Sequence, residues 1–453
     1  MFQTICDLIP VDPDSSARAR RLDVMRRVLD GTLYDALPYE FHDERTPGGE
    51  YIPLRRRRPS VRYALPRVVV EDSVALLFSE GHFPAVACPD EAVRGALAAV
   101  ARECRLNQVM VEAAMRGSIG SVGILMRILR GRVFLEVLDT VWLTPVWDNE
   151  APDTLVEVVE RYKAPGSDLV AAGYEGVDPQ GTYWFMRRWN AEAETWFAPQ
   201  PVGAPGVMVE DVERSVRHGL GFVPMVWIRN LPGGIAPDGA CTFRTAIETG
   251  IEIDYQLSQA GRGLKYSSDP TLLIKEPAGL EGEMVRGAGN ALVVSEKGDA
   301  RLLEIGGTAA GAVLDYVRML RELALEGVHG NRADASRLTA PASGRALEIM
   351  NQGLVWLADN LRVSYGEGGL LPLFRMILRA AAIYPLLVGG KAMGALDAEA
   401  ALGLVWPPWY PASSEDRARD AATLMALSGA GLLKGEAVRR WLEADWGDLG
   451  ARA

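Results

Sequence analysis

TAAGAVLDYVRMLRELALEGVHGNRADASRLTAPA, Thr308 to Ala342, is an apolar-periodic segment that breaks into a polar loop. Val313, Leu314, Val317, Leu320 and Ala324 recur at helical spacing, while Asp315, Glu322 and Glu326 fall on a second stripe. That arrangement predicts a helix packed on one side and wet on the other. Gly327 and Gly330 stop the helix, Pro341 restarts one, and Ser343 is placed to cap it. The second helix runs through Ala346, Leu347, Met350, Leu354 and Leu361. The loop from Val328 to Ala342 is therefore expected to be presented rather than buried.

Upstream, Thr242 to Leu264 reads as another helix, with Glu248, Glu252, Gln256 and Gln259 spaced by four, four and three. Two such helices together offer the wall of an acidic conduit. Between them, Ala291 to Ser295 and Arg301 to Ile305 read as a hairpin around Glu296 to Ala300, with Gly298 at its turn. Towards the N-terminus, Ala17 to Leu29 is a predicted helix stopped by Gly31, and Leu37 to Arg62 is a turn-rich arm or loop. Helices are expected over Val68 to Ser79 and Asp90 to Arg116. After Gly117 the period changes. Strand-like runs follow at Val122 to Leu129, Val133 to Val137, Leu155 to Tyr162, Thr182 to Trp189 and Thr195 to Phe197. His218 to Gly234 reads as a strand ending in a Pro-Gly turn, the boundary before the first long helix. The fold class is α+β, mainly helical.

This order of parts resembles the portal proteins of tailed bacteriophages, the head-to-tail connector family, over most of the chain. The segment KYSSDPTLLIKEP, Lys265 to Pro277, is similar to a stem-to-clip junction of portals. PASGRALEIM from Pro341 resembles their tunnel-loop exit, and LMALSGAGLLKGEAVRRWL from Leu424 resembles their crown helices. The resemblance implies a wing over 1–240, a stem helix over 241–264, a clip over 265–305 and a returning stem helix over 306–327. A tunnel loop would span 328–342, a long bent wing helix 343–402 and a crown 403–453. It further implies a cyclic ring, usually of twelve copies, at one capsid vertex of the virion, made in the host bacterial cytoplasm. Double-stranded DNA would pass through the ring. Large terminase and then a head-tail adaptor would dock at the clip, and major capsid and scaffold proteins would take part in assembly. The channel would be lined by Glu248, Glu252, Asp315, Glu322 and Glu326, with Asn331, Arg332 and Arg337 in the tunnel loop. The last three read equally as residues of an ordinary polar loop.

Charge and composition agree with that expectation. The chain of 453 residues is long enough for more than one domain, and 48% hydrophobic with 24% charged residues is an ordinary globular balance. A formal net charge of −11 argues against a general nucleic-acid binder. For a conduit the reasoning reverses. A basic wall would hold the duplex by counterion release, whereas an acidic wall repels it and lets it slide. Arg55 to Arg58 reads as a solvated basic loop rather than a nucleic-acid contact. MFQTICDLIP has no basic stretch before an apolar core, so no secretory signal is expected, and Ala380 to Val388 is too short to span a bilayer. The protein is expected to be soluble, without membrane contact.

Enzymatic chemistry finds little purchase. His42, His82, His218 and His329 are isolated, and Cys6, Cys88, Cys104 and Cys241 show no metal-ligand or redox spacing. Gly389, Gly390 and Lys391 lack the first glycine of a phosphate loop, and Ala392 stands where magnesium needs a hydroxyl. No catalytic residue, metal or cofactor is expected. Two alternatives stay open at this level: a phage-encoded nucleic-acid enzyme, and a ring-forming connector without DNA passage.

Overall fold

The computed structural model describes residues 1–79, 81–268, 271–277, 294–303, 308–329, 348–394, 396–410 and 414–431. It is a mixed helix and sheet protein whose main core is shared by an N-terminal helical layer, a small sheet and a bent C-terminal helix.

Helix α1, Ala17–Leu29, starts where the Ser16 hydroxyl accepts the Ala19 amide at 3.0 Å, and it buries Leu22, Met25 and Leu29. Helix α2, Leu65–Phe78, follows the arm. The single helix expected over Asp90 to Arg116 is instead α3, Glu91–Glu103, and α4, Leu106–Gly117, broken at Arg105 with φ 51°. The apolar phase slips at that point. Val93, Leu97 and Val100 belong to one buried row, and Leu106, Met110 and Ala113 to another that a straight helix would not superpose on the first.

Strands β1, Ser121–Leu129, and β2, Arg132–Asp139, form a hairpin through Arg130 and Gly131, both at positive φ as a two-residue primed turn requires. A second sheet begins with β3, Leu143–Trp147, β4, Leu155–Pro165, β5, Thr182–Asn190, and β6, Ala193–Trp196, paired antiparallel in that order. Two short strands complete its six. Strand β7, Met225–Arg229, returns to pair antiparallel with β1, so the first sheet runs β7-β1-β2.

Then comes α5, Ile247–Ser268, followed by β8, Thr271–Pro277, and β9, Val294–Leu303, which pair antiparallel, and by α6, Thr308–Gly327. This corrects the expected hairpin within 291–305. Leu273 faces Arg301 and Lys275 faces Asp299, so Gly298 lies inside one continuous strand. The turn signal of the Lys-Gly-Asp run loses to a longer ladder with the apolar TLLI stretch, in which Thr271 to Lys275 pair with Leu303 to Asp299 in unbroken register.

Helix α7, Gln352–Arg362, widens into a π-helical stretch over Val363–Leu370 and continues as α8, Leu371–Ile383. The widened stretch lies on β7. A Cβ added at Gly369 would come within 2.7 Å of Ile228, and one at Gly366 within 2.8 Å of Trp406, so both glycines permit close approach. Gly389 and Gly390, at positive φ, make only the turn between the short strands Leu387–Val388 and Lys391–Ala392. Helix α9, Ser414–Gly429, ends the described chain.

Candidate channel-lining helices

Helices α5 and α6 lie side by side. Thr245 donates to the Gly327 carbonyl at 2.8 Å, which places the start of α5 at the end of α6, while β8 and β9 join their opposite ends. Ala246, Ile253 and Leu257 share an apolar cluster with Val317, Leu320, Ala324, Leu325 and Val328. The root of the pair is tied to the body by Asn230. Its amide donates to the Ala240 carbonyl and the Thr242 hydroxyl at 2.7 and 2.9 Å, and its oxygen accepts from Tyr365 at 3.1 Å.

The first half of α5 is wrapped by the N-terminal arm. Asp254 is 6% exposed and accepts from the Tyr34 hydroxyl at 2.8 Å and the Tyr63 amide at 2.7 Å. Burial holds its carboxyl above the usual carboxylate range, against the pull of both donors. The Tyr34 phenol is raised too, first by burial and then by the carboxylate beside it. Ser258 accepts the Val61 amide at 2.9 Å, and Tyr255 donates to the Arg57 carbonyl at 2.8 Å. The expectation of a solvated Arg55 to Arg58 loop holds for Arg55 and Arg56, which are exposed, and needs correction for the other two. Arg57 is buried, its guanidinium donating to the Ile52 carbonyl at 2.6 and 2.9 Å, and Arg58 is bound by the Leu37 carbonyl and Glu40. The arm uses these cations to satisfy its own irregular backbone.

Of the residues expected on the channel wall, Glu248 is exposed but accepts from the Met1 ammonium at 3.4 Å and the Phe2 amide at 3.2 Å. Glu252 is half-buried and accepts from Gln256 at 2.8 Å. On α6, Asp315, Glu322 and Glu326 are all exposed, Asp315 pairing with Arg318 at 3.0 Å. Asn331, Arg332 and Arg337 lie outside the described residues.

Two readings of the apolar stripes change. Leu314 does not join the packed face but is 45% exposed. A second row, which periodicity also contained, stands bare beside the carboxylates: Tyr316 is 39%, Met319 48% and Leu323 54% exposed. Conversely, Ile247 and Ile251, which a lone helical pair is expected to leave for a neighbouring subunit to cover, are 1% and 3% exposed, already covered within the subunit by the main core. Sequence reasoning also passed over Asp254, although its helical spacing from Ile247 and Ile251 was the available signal.

Among the described residues, no group of three or more His, Cys, Asp or Glu side chains is placed to hold a metal. No helix of the described residues is long and apolar enough to cross a membrane. Burial pushes the Cys241 thiol up to about 12 and that of Cys104 to about 11, far from the thiolate a nucleophile needs.

No protein-family model and no curated protein matches the sequence. Among solved structures, a chain from the neck of a native gene transfer agent particle with C12 symmetry aligns over 96% of this chain and 95% of its own, at 13% identity and TM-score 0.39. A chain from the neck of an empty particle with C6 symmetry aligns over 84% and 89%, at 13% identity and TM-score 0.38. One from the virion of the native particle aligns over 84% and 88%, at 12% identity and TM-score 0.37. At these TM-scores the likeness carries no weight for fold or role.

Proposed function

We propose that the chain is a structural, non-enzymatic subunit of a phage-type virion, a portal, and that copies of it form a ring through which double-stranded DNA passes. The observation that carries the proposal is α6. Its outward side sets Asp315, Glu322 and Glu326 next to the uncovered row Tyr316, Met319 and Leu323. A row of this kind on an exposed helix is what a neighbouring copy covers in a cyclic assembly. Repeated around an axis, each carboxylate then becomes a ring of identical charges that keeps a duplex centred and free to slide. The two-stranded β8–β9 element at the far end of the helix pair has no further strand on either edge among the described residues, which suits it to terminase and then to a head-tail adaptor. In this reading capsid and scaffold proteins contact the outer body.

Negative-stain imaging with light scattering tests the assembly, rings with a central hole being the expected result and monomer alone the overturning one. The channel wall is tested with Glu322→Lys and Glu326→Lys together, which should leave the ring intact. They should tighten duplex binding and steepen its log-log salt dependence by roughly 0.9 per phosphate neutralised. An unchanged slope in intact rings places these side chains away from the DNA.

A further inference from the structure

A groove of about 1220 Å³ lies between α3 and α4, on the outer body and independent of the channel reading. Phe83, Val86, Leu106 and Val111 line it, with Phe78 and Phe374 beneath. Its α3 wall is made of small residues, Gly95, Ala98 and Ala101, and a Cβ added at Gly95 would meet nothing within 4 Å. The groove exceeds the roughly 300–1,000 Å³ of small-molecule pockets, so it is sized for a polypeptide. Its charges are unbalanced. Glu91 is paired with Arg94 at 3.6 Å and Glu112 with Arg116 at 2.6 Å. Arg102 reaches only the Ala98 carbonyl, at 3.4 Å, and the Arg105 guanidinium has no ion pair or hydrogen bond among the described residues. Both cations stand at the α3/α4 junction, one end of an apolar trough that runs along the 13 residues of α3.

We propose that this groove docks an amphipathic helix of a different protein, apolar where it enters and acidic where it passes Arg102 and Arg105. A helix laid against the small-residue wall would bring its backbone close and its apolar face onto the phenylalanines, the helix-in-groove mode of recognition. Carboxylates on its flank would meet the two guanidiniums, neither of which is in an ion pair among the described residues, in forked hydrogen bonds. Helix α6 of a second copy also sets carboxylates beside an apolar row, but Asp315 is paired with Arg318 at 3.0 Å and Arg321 is exposed on the same helix, so its flank is of mixed charge. Helix α9 likewise carries Arg417 and Arg419 in its exposed first half.

The test is a fluorescence-anisotropy titration of the full-length protein. The probe is a fluorescein-labelled helical peptide of about 15 residues, enough for the roughly 20 Å of α3, with leucine and phenylalanine on one face and glutamate along the flank. A control peptide carries lysine in place of each glutamate. The glutamate peptide should bind about tenfold or more tightly than the control, and Arg102→Glu should remove that preference. Gly95→Trp, growing into open space, should abolish binding of both peptides, and Ala98→Trp gives a second block should the first variant melt early. The proposal is overturned if the glutamate peptide does not bind the intact chain. Equal binding of the two peptides, or binding indifferent to a folded groove-filling variant, overturns it as well.

Discussion

Helices α5 and α6 pack together through Ala246 to Leu257 and Val317 to Leu325 yet are held in different ways. The first half of α5 is enclosed: Ile247 and Ile251 enter the main core, while Asp254, Tyr255 and Ser258 take hydrogen bonds from or give them to the arm. Helix α6 is covered on one side by α5, through Val317, Leu320 and Ala324, and leaves Tyr316, Met319 and Leu323 in solvent. The first helix is finished within its own chain. The second presents an unfinished face. Stability of the subunit should therefore respond to changes on α5, and assembly to changes on α6.

Met319→Glu combined with Leu323→Glu attacks the α6 side. Both are surface positions, so thermal unfolding of the subunit should shift by less than about 0.5 kcal/mol. Association between copies should weaken by about 3 kcal/mol per interface, since two apolar side chains lose their burial and two charges must be desolvated. Light scattering across a concentration series reads this directly, and wild-type assembly of the double variant would place the row outside any interface.

The α5 side should behave in the opposite way. Asp254→Ala leaves the Tyr34 hydroxyl and the Tyr63 amide without their acceptor, at a cost of about 2–4 kcal/mol in urea unfolding. A loss below about 0.5 kcal/mol would mean that the arm is held by something other than this carboxylate.

A smaller effect sharpens the same point through pH. Because burial raises the Asp254 carboxyl, the unfolded chain ionises it before the folded chain does. Its contribution is full below the ordinary carboxylate value and declines as pH rises towards the raised one. Asp254→Asn keeps an acceptor oxygen and removes the proton, so unfolding midpoints across that window should flatten by less than the loss from Asp254→Ala. A slope identical to wild type would remove Asp254 from the titration.

Much of this was legible in local pattern. The end of Ala17–Leu29 follows from Gly31 as stop, and β1, β2, β4 and β5 follow from strand-like runs between turn residues. The outward stripe of α6 follows as well, because a carboxylate at helical spacing from an apolar row has one side of the cylinder left to occupy. Pairing of β8 with β9 was not legible, since partners separated by a long intervening segment compete with the nearer turn signal at Gly298. Nor was the burial of Arg57, whose partner is a backbone carbonyl that no side-chain pattern marks.

By itself the sequence determined where most helices and strands fall and the positions of Glu322 and Glu326 in solvent, all of which depend on spacing within a few residues. Only the tertiary structure decided which apolar row of α6 is covered, why Ile247 and Ile251 need no neighbour, and how Asp254 comes to be buried. Those outcomes depend on which surface arrives opposite each helix. The arm from Leu33 to Tyr63 and the packing of α5 supply it, and burial belongs to the pair of surfaces rather than to either alone.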